Sequence, residues 1–470
     1  MLDTLITGGT VVTPEAAKPI AVGLLDGRIE TLGMHHVEAR EVVDASGCLV
    51  LPGCIDPHVH FQPKLPDENS SDTFIEWADD FTSGSISAAC GGVTTFIDFA
   101  VQGPKPGDRV TDAVDLYMDV ASQTAAVDYA MHAGLTQACQ ESLDEVPNLV
   151  SRGITSFKLF RTYRKWGIFT DLGFMNDLFP LLSSLGATAA VHCEDDEIIT
   201  YLRNKYISAG LDRDLWYHVL SRPPVAEEVS IDQVAAVARV HGTRAYPVHV
   251  SSKRGLEAVR RSRNAGLVAS EVGLHFLIID DEVCKGHDAP LFFMTPPLRP
   301  REDIEALWGG LADGSIDWVG TDHSPHMAQE KRADPRFSPS TDGLEFAIPP
   351  GFTGIEEMLP LVYTYGVAAG RFTLSRLVSV LSTSAAQTLG LTDKGAIAVG
   401  KDADLVIYDP QHERKITISD LHTQSDYTIY EGVPVMGRVR DTFSRGRRIV
   451  KDGEYVGRPG DGQFVRRVTQ

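Results

Sequence analysis

Gly53-Cys54-Ile55-Asp56-Pro57-His58-Val59-His60 decides how the rest of the chain is read. An apolar run ends in two histidines at i and i+2. On an extended segment these project to the same side, so both imidazoles can reach one ion. Outward from this stretch, short apolar segments recur: Gly92–Ala100 (GVTTFIDFA), Ile154–Phe160 (ITSFKLF), Ala189–Glu194 (AAVHCE), Ala245–Ser251 (AYPVHVS) and Asp317–His323 (DWVGTDH). Helix-like runs such as Asp72–Ala89 and Ser230–Val240 lie among them. Strands alternating with helices over such a span predict an α/β chain, a (β/α)8 TIM-like barrel over residues 52–391.

The two ends have another texture. Residues 1–51 and 392–470 read as short strands broken by Gly-rich turns, as in LITGGTVVT and GAIAVGKDADLVIYD. Each is too small to stand alone, so the expectation is a single β-sandwich built from both chain ends. Ser338–Gly354 is a Pro/Gly-rich loop, and such loops at barrel tops are often functional.

Composition removes several function classes. The 470 residues carry 43 Lys+Arg against 64 Asp+Glu, a formal charge of −21, where a nucleic-acid binder needs clustered positive charge. No stretch approaches the roughly 18 uninterrupted apolar residues of a membrane span, so no membrane partner is expected. The opening MLDTLITGGTVVTP has neither a basic region nor a long apolar one, so no secretory signal is expected. Six cysteines scattered singly fit reduced thiols and a cytoplasmic location.

Three further strands end in metal-capable residues: His192 in AAVHCE, His249 in AYPVHVS and Asp322 in GTDH. Any one alone reads best as a hydrogen-bonded, half-buried polar residue. Together with the HVH strand, however, four strand ends would converge at the carboxyl face where barrel active sites are built. Lys158 stands inside an apolar strand, where a charged amine is costly. Either its stem packs while the ammonium snorkels out, or burial lowers its pKa so that the neutral amine reacts with carbon dioxide to form a carbamate.

PGCIDPHVH, FKLFRTY, VHCE, HVS and GTDH occur in the order found in the cyclic amidohydrolases. The chain resembles that family over nearly its whole length, and within it the dihydropyrimidinase and D-hydantoinase branch. The resemblance implies two zinc ions, although cobalt or manganese also suit the ligands. His58 and His60 would bind one ion with Asp322, His192 and His249 the other, and carbamylated Lys158 would bridge them. A hydroxide held between the ions would attack a ring amide, with Asp322 relaying its proton to the leaving nitrogen. Tyr163, five positions after Lys158, matches the family tyrosine that donates to the developing oxyanion. Allantoinase-like relatives generally lack that tyrosine, which tilts the choice to the hydantoinase branch.

By position, Thr295 and Pro350 would hold the cyclic ureide or imide through their main chain, where the family usually has Ser and Asn. Leu65, Trp166 and Phe169 would wall the substituent pocket. Glu271-Val272-Gly273-Leu274-His275-Phe276 departs from the family pattern. Arg161 and His326 depart too, and read as surface or outer-layer variation. The expected activity is opening of hydantoins or dihydropyrimidines to N-carbamoyl amino acids, by a homotetramer or homodimer. An allantoinase or cyclic imidase is the alternative. A non-catalytic scaffold relative fits poorly because all six ligand positions are filled, and a mononuclear deaminase because such sites generally do without the lysine.

Overall fold

Eight strands with parallel neighbours organise the middle of the chain, which is described here from a computed structural model covering residues 1–33, 37–65, 76–211, 215–263, 265–332 and 348–470. They are β1 (Cys54–Val59), β2 (Val93–Val101), β3 (Asp128–Gly134), β4 (Ser156–Phe160), β5 (Thr188–His192), β6 (Arg244–Pro247), β7 (Glu271–Gly273) and β8 (Trp318–Gly320). β1 to β6 form one sheet in chain order, and β7 pairs with β8. Parallel bridges continue the neighbour relations, Val250 to Val272 just after β6 and His323 to Val59 just after β8. This is a TIM-barrel-like α/β arrangement. The strands are buried almost throughout, which is why they read as apolar runs rather than as alternating ones.

Helices fill the connections. Pro224–His241 begins with proline at its first turn, where a missing N–H costs nothing, and stops at Gly242 with φ 64°. The helix expected over 72–89 begins only at Phe81. Residues 72–75 lie outside the described residues, and the next few are diverted into other bonds. The Trp77 N–H donates to Gln62 Oε1 and that of Ala78 to the Pro325 carbonyl. Asp80 then caps the helix by accepting from the N–H groups of Thr82 and Ser83. Of the loop expected at 338–354, residues 338–347 lie outside the described residues.

The chain ends meet. Leu405–Lys415 pairs antiparallel with Leu49–Pro52 inside a seven-stranded sheet drawn from both termini. A four-stranded sheet of N-terminal residues faces it. Ile6, Val22 and Ile29 of one pack with Val50, Leu405, Ile407 and Phe443 of the other in a shared core. Underneath, the buried Lys394 ammonium lies 2.5, 2.9 and 2.7 Å from carboxylates of Asp128, Asp402 and Asp404. Arg445 adds a contact of 2.6 Å to Asp128, which starts β3, so this ion cluster ties the terminal sheets to the strands. Among the described residues no helix is long and apolar enough to cross a membrane.

Candidate metal centre and active site

Where the strands end, the chain turns sharply. Tyr163, His249 and Asp322 hold φ of 68°, 38° and 54°, a left-handed backbone that costs energy for residues with a Cβ. Side chains from the ends of five strands come together here. His58 Nε2 and His60 Nε2 lie 3.2 and 3.0 Å from one oxygen of Asp322. The His192 and His249 rings stand 4.5 Å apart, and His249 is 5.4 Å from His58. Lys158 lies in the same pocket, its ammonium 4.7 Å from the centre of the Phe99 ring.

All six of these residues line one pocket with Tyr163, Trp166, Thr295 and Pro350. Leu65 and Phe169 do not line it. Leu65 packs on the main core, while Phe169 lies 3.7 Å beneath the Arg164 guanidinium. Trp77, Ile168 and Met294 form that part of the lining. The surface reading of Arg161 and His326 fails, since both are buried. Arg161 donates to the Thr170 carbonyl and Gln233, and His326 Nε2 faces the Pro350 carbonyl at 3.2 Å.

Burial dominates the electrostatics. It pushes Lys158 down to about 8 despite Asp322 and Glu271 nearby, and pushes His60, His192 and His249 below their ordinary values. Neutral imidazoles keep a lone pair for a metal. Burial works against the charge on Asp322 too, but His58 and His60 outweigh it and hold the carboxyl well below the usual range. At His58 burial is overcome by Glu271 and Asp322, which raise the ring to about 9. Imidazoles and a carboxylate gathered in this way form a donor set that fits divalent transition ions. Burial raises the Tyr163 hydroxyl, which keeps its proton and pairs with the Thr295 side chain.

Behind these residues stands a layer that the sequence reading missed. Glu271 accepts from His58 Nδ1 at 2.6 Å, from the His249 N–H at 3.0 Å and from Trp318 Nε1 at 3.0 Å. Glu194 accepts from His192 Nε2 and from Arg222, both at 2.8 Å. Asp56 accepts from the N–H groups of His58 and Thr321, tying β1 to the turn that carries Asp322. Carboxylates in these places fix the tautomer and orientation of ligand imidazoles. The signal that singles out Lys158, a charge inside an apolar strand, is present at Glu271 as well.

Two further groups of potential ligands occur among the described residues. In Asp128, Asp402 and Asp404 the Lys394 ammonium already supplies the cation. In Cys90, Glu356 and His422, Glu356 is engaged by both the Nδ1 and the main-chain N–H of His422.

The sequence pattern of the amidohydrolase family matches residues 49–449. A D-hydantoinase of Ralstonia pickettii is 34% identical over 472 residues, covering 99% of each chain. Among solved structures, a D-hydantoinase (dihydropyrimidinase) from Thermus sp. superposes with a TM-score of 0.90 at 32% identity, covering 99% of both chains. Dihydropyrimidinase from Brevibacillus agri NCHU1002 gives a TM-score of 0.89 at 29% identity, over 100% of this chain and 99% of that one.

Proposed function

This chain belongs to the amidohydrolase family, and we propose that the six residues gathered at its strand ends carry the opening of hydantoin or dihydropyrimidine rings to N-carbamoyl amino acids. It is a hydrolase of cyclic amides, as the D-hydantoinase and dihydropyrimidinase relatives support. The observation that carries the residue assignment is the convergence of His58, His60, Lys158, His192, His249 and Asp322 in one pocket with Tyr163.

Two divalent ions, zinc by preference, suit these donors. His58, His60 and Asp322 would hold one, His192 and His249 the other, and Lys158 as its carbamate would bridge them. The lowered pKa of Lys158 supports carbamate formation, because only the neutral amine attacks carbon dioxide. The metal pair, when bound, supplies Lewis acidity towards the ring carbonyl and brings the pKa of water in the site near neutrality.

The chain's own groups do the rest. Asp322, ionised and aimed between His58 and His60, takes the proton of the attacking water and passes it to the leaving ring nitrogen. Tyr163 keeps its phenolic proton and donates it as a hydrogen bond to the oxygen that gains charge. Thr295 and Pro350 hold the ring through main-chain groups. Trp166, stacked on Tyr163 at 4.7 Å, walls the substituent side.

We read residues 52–391 as a (β/α)8 barrel, with 1–51 and 392–470 as one β-sandwich and a C-terminal tail. The pairing of Leu49–Pro52 with Leu405–Tyr408 and the shared core support this division. A cytoplasmic setting accords with six unpaired cysteines, and a homotetramer or homodimer with the family resemblance.

The test is a comparison of initial rates on dihydrouracil, an aryl-substituted hydantoin and allantoin, using zinc-loaded protein with bicarbonate. Opening of either of the first two supports the reading. Turnover of allantoin alone transfers it to an allantoinase, and three intact substrates with two metals bound overturn the substrate class.

A further inference from the structure

Pro349-Pro350-Gly351 has one main-chain N–H donor in three residues, because proline has none. That donor, on Gly351, is used on the Phe293 carbonyl at 3.2 Å. The segment can therefore be anchored further only through its carbonyls, by donors from elsewhere. Lys331 supplies them. Its fully buried ammonium lies 2.8 Å from the Phe293 carbonyl, 2.8 Å from that of Pro349 and 2.9 Å from that of Gly351. Three acceptors match the three N–H bonds of an ammonium, whereas a neutral amine has only two. Burial pushes this amine well below its usual range, and the shell of carbonyl dipoles favours the charge.

With the carbonyls of residues 349 and 351 turned to Lys331, that of Pro350 is left outside the shell. It meets His326 Nε2 at 3.2 Å. Burial pushes His326 down to about 3, so the ring is neutral and gives one hydrogen bond from Nε2. A carbonyl has two acceptor sites, so Pro350 keeps one for another donor. Pro350 lines the pocket, and so does Thr295, two residues beyond Phe293.

We propose that Lys331 is a positioning residue for the cyclic substrate: its ammonium ties the backbone at Phe293 to that at Pro349 and Gly351, and so sets the Pro350 carbonyl at the height of a ring N–H. The inference rests on the reading of Pro350 as a ring acceptor and adds the residue that fixes it. Lys331 acts through backbone alone.

The experiment is steady-state kinetics of metal-loaded Lys331→Met with a hydantoin and with its analogue methylated at the ring nitrogen that faces Pro350. Losing the hold on one acceptor removes binding that ground state and transition state share. KM should rise roughly 3- to 10-fold, with kcat within about twofold and two metals retained. For the methylated analogue, which has no N–H to give, the substitution should leave KM nearly unmoved. An unchanged KM for the parent hydantoin, or an equal rise for both compounds, overturns the proposal. If Lys331→Met does not fold, Lys331→Gln, which keeps two donors, carries the same test with a smaller rise, and an unmoved KM again overturns it. A wild-type protein that opens no cyclic ureide removes the underlying reading and the inference with it. An active wild type with an unmoved KM in the variant removes the inference alone.

Discussion

Glu271→Gln tests whether the layer behind the proposed ligands sets metal affinity. One carboxylate oxygen takes hydrogen bonds from His58 Nδ1 at 2.6 Å and the His249 N–H at 3.0 Å, and the other takes Trp318 Nε1 at 3.0 Å. Glutamine has the same shape but only one acceptor oxygen. If that oxygen serves His58 and His249, the amide NH2 confronts the Trp318 N–H. If it serves Trp318, the NH2 confronts the other two donors. Either way at least one charge-assisted bond is lost at a site closed to water, a cost of about 1.5–3 kcal/mol. Part of that loss falls on the orientation of His58, and metal affinity should weaken by roughly 10- to 100-fold. The assay is competition with a chromogenic chelator, referred to the folded fraction by circular dichroism. Folded Glu271→Gln that competes as well as the wild type would refute the reasoning, because the carboxylate would then be a packing element only.

Other substitutions probe the remaining parts. Lys158→Ala should lose both bound metal and turnover, with partial return of each on adding a short carboxylate; metal analysis showing two ions per chain would end the bridging assignment. Tyr163→Phe should lower kcat by roughly 10²–10³ at unchanged metal content, the scale of one lost oxyanion donor, and an equal kcat would exclude the phenol from that role. Lys394→Met leaves the buried carboxylates of Asp128, Asp402 and Asp404 without their central cation. It should cost about 3–5 kcal/mol of stability in urea unfolding, and an unshifted midpoint would mean that the cluster binds nothing together.

The fold was legible wherever one local pattern sufficed. Buried parallel strands read as apolar runs, and a polar residue closing such a run, or a charge inside one as at Lys158, is conspicuous, so these six residues stand out along the chain. The helix near Asp80 starts later than its sequence suggests because the helix-like run of residues continues back through Trp77 and Ala78. Their N–H groups are claimed by residues distant in sequence, Gln62 and Pro325. Glu271 escaped for a related reason, since its partner His58 lies 213 residues away and no spacing rule reaches that far. Leu65 and Phe169 stand in loops where the resembling branch has its pocket walls, but loop side chains are aimed by their neighbours. The Arg164 guanidinium covers Phe169, whereas Trp77 stacks 5.6 Å from His60 and enters the lining instead.

The central claim is that this pocket adds water across a ring amide. Zinc-loaded protein incubated with a 5-substituted hydantoin in heavy-oxygen water should yield the N-carbamoyl amino acid with one heavy oxygen in its new carboxylate, seen by mass spectrometry. A folded chain carrying two metals that returns the hydantoin and dihydrouracil intact would contradict the account.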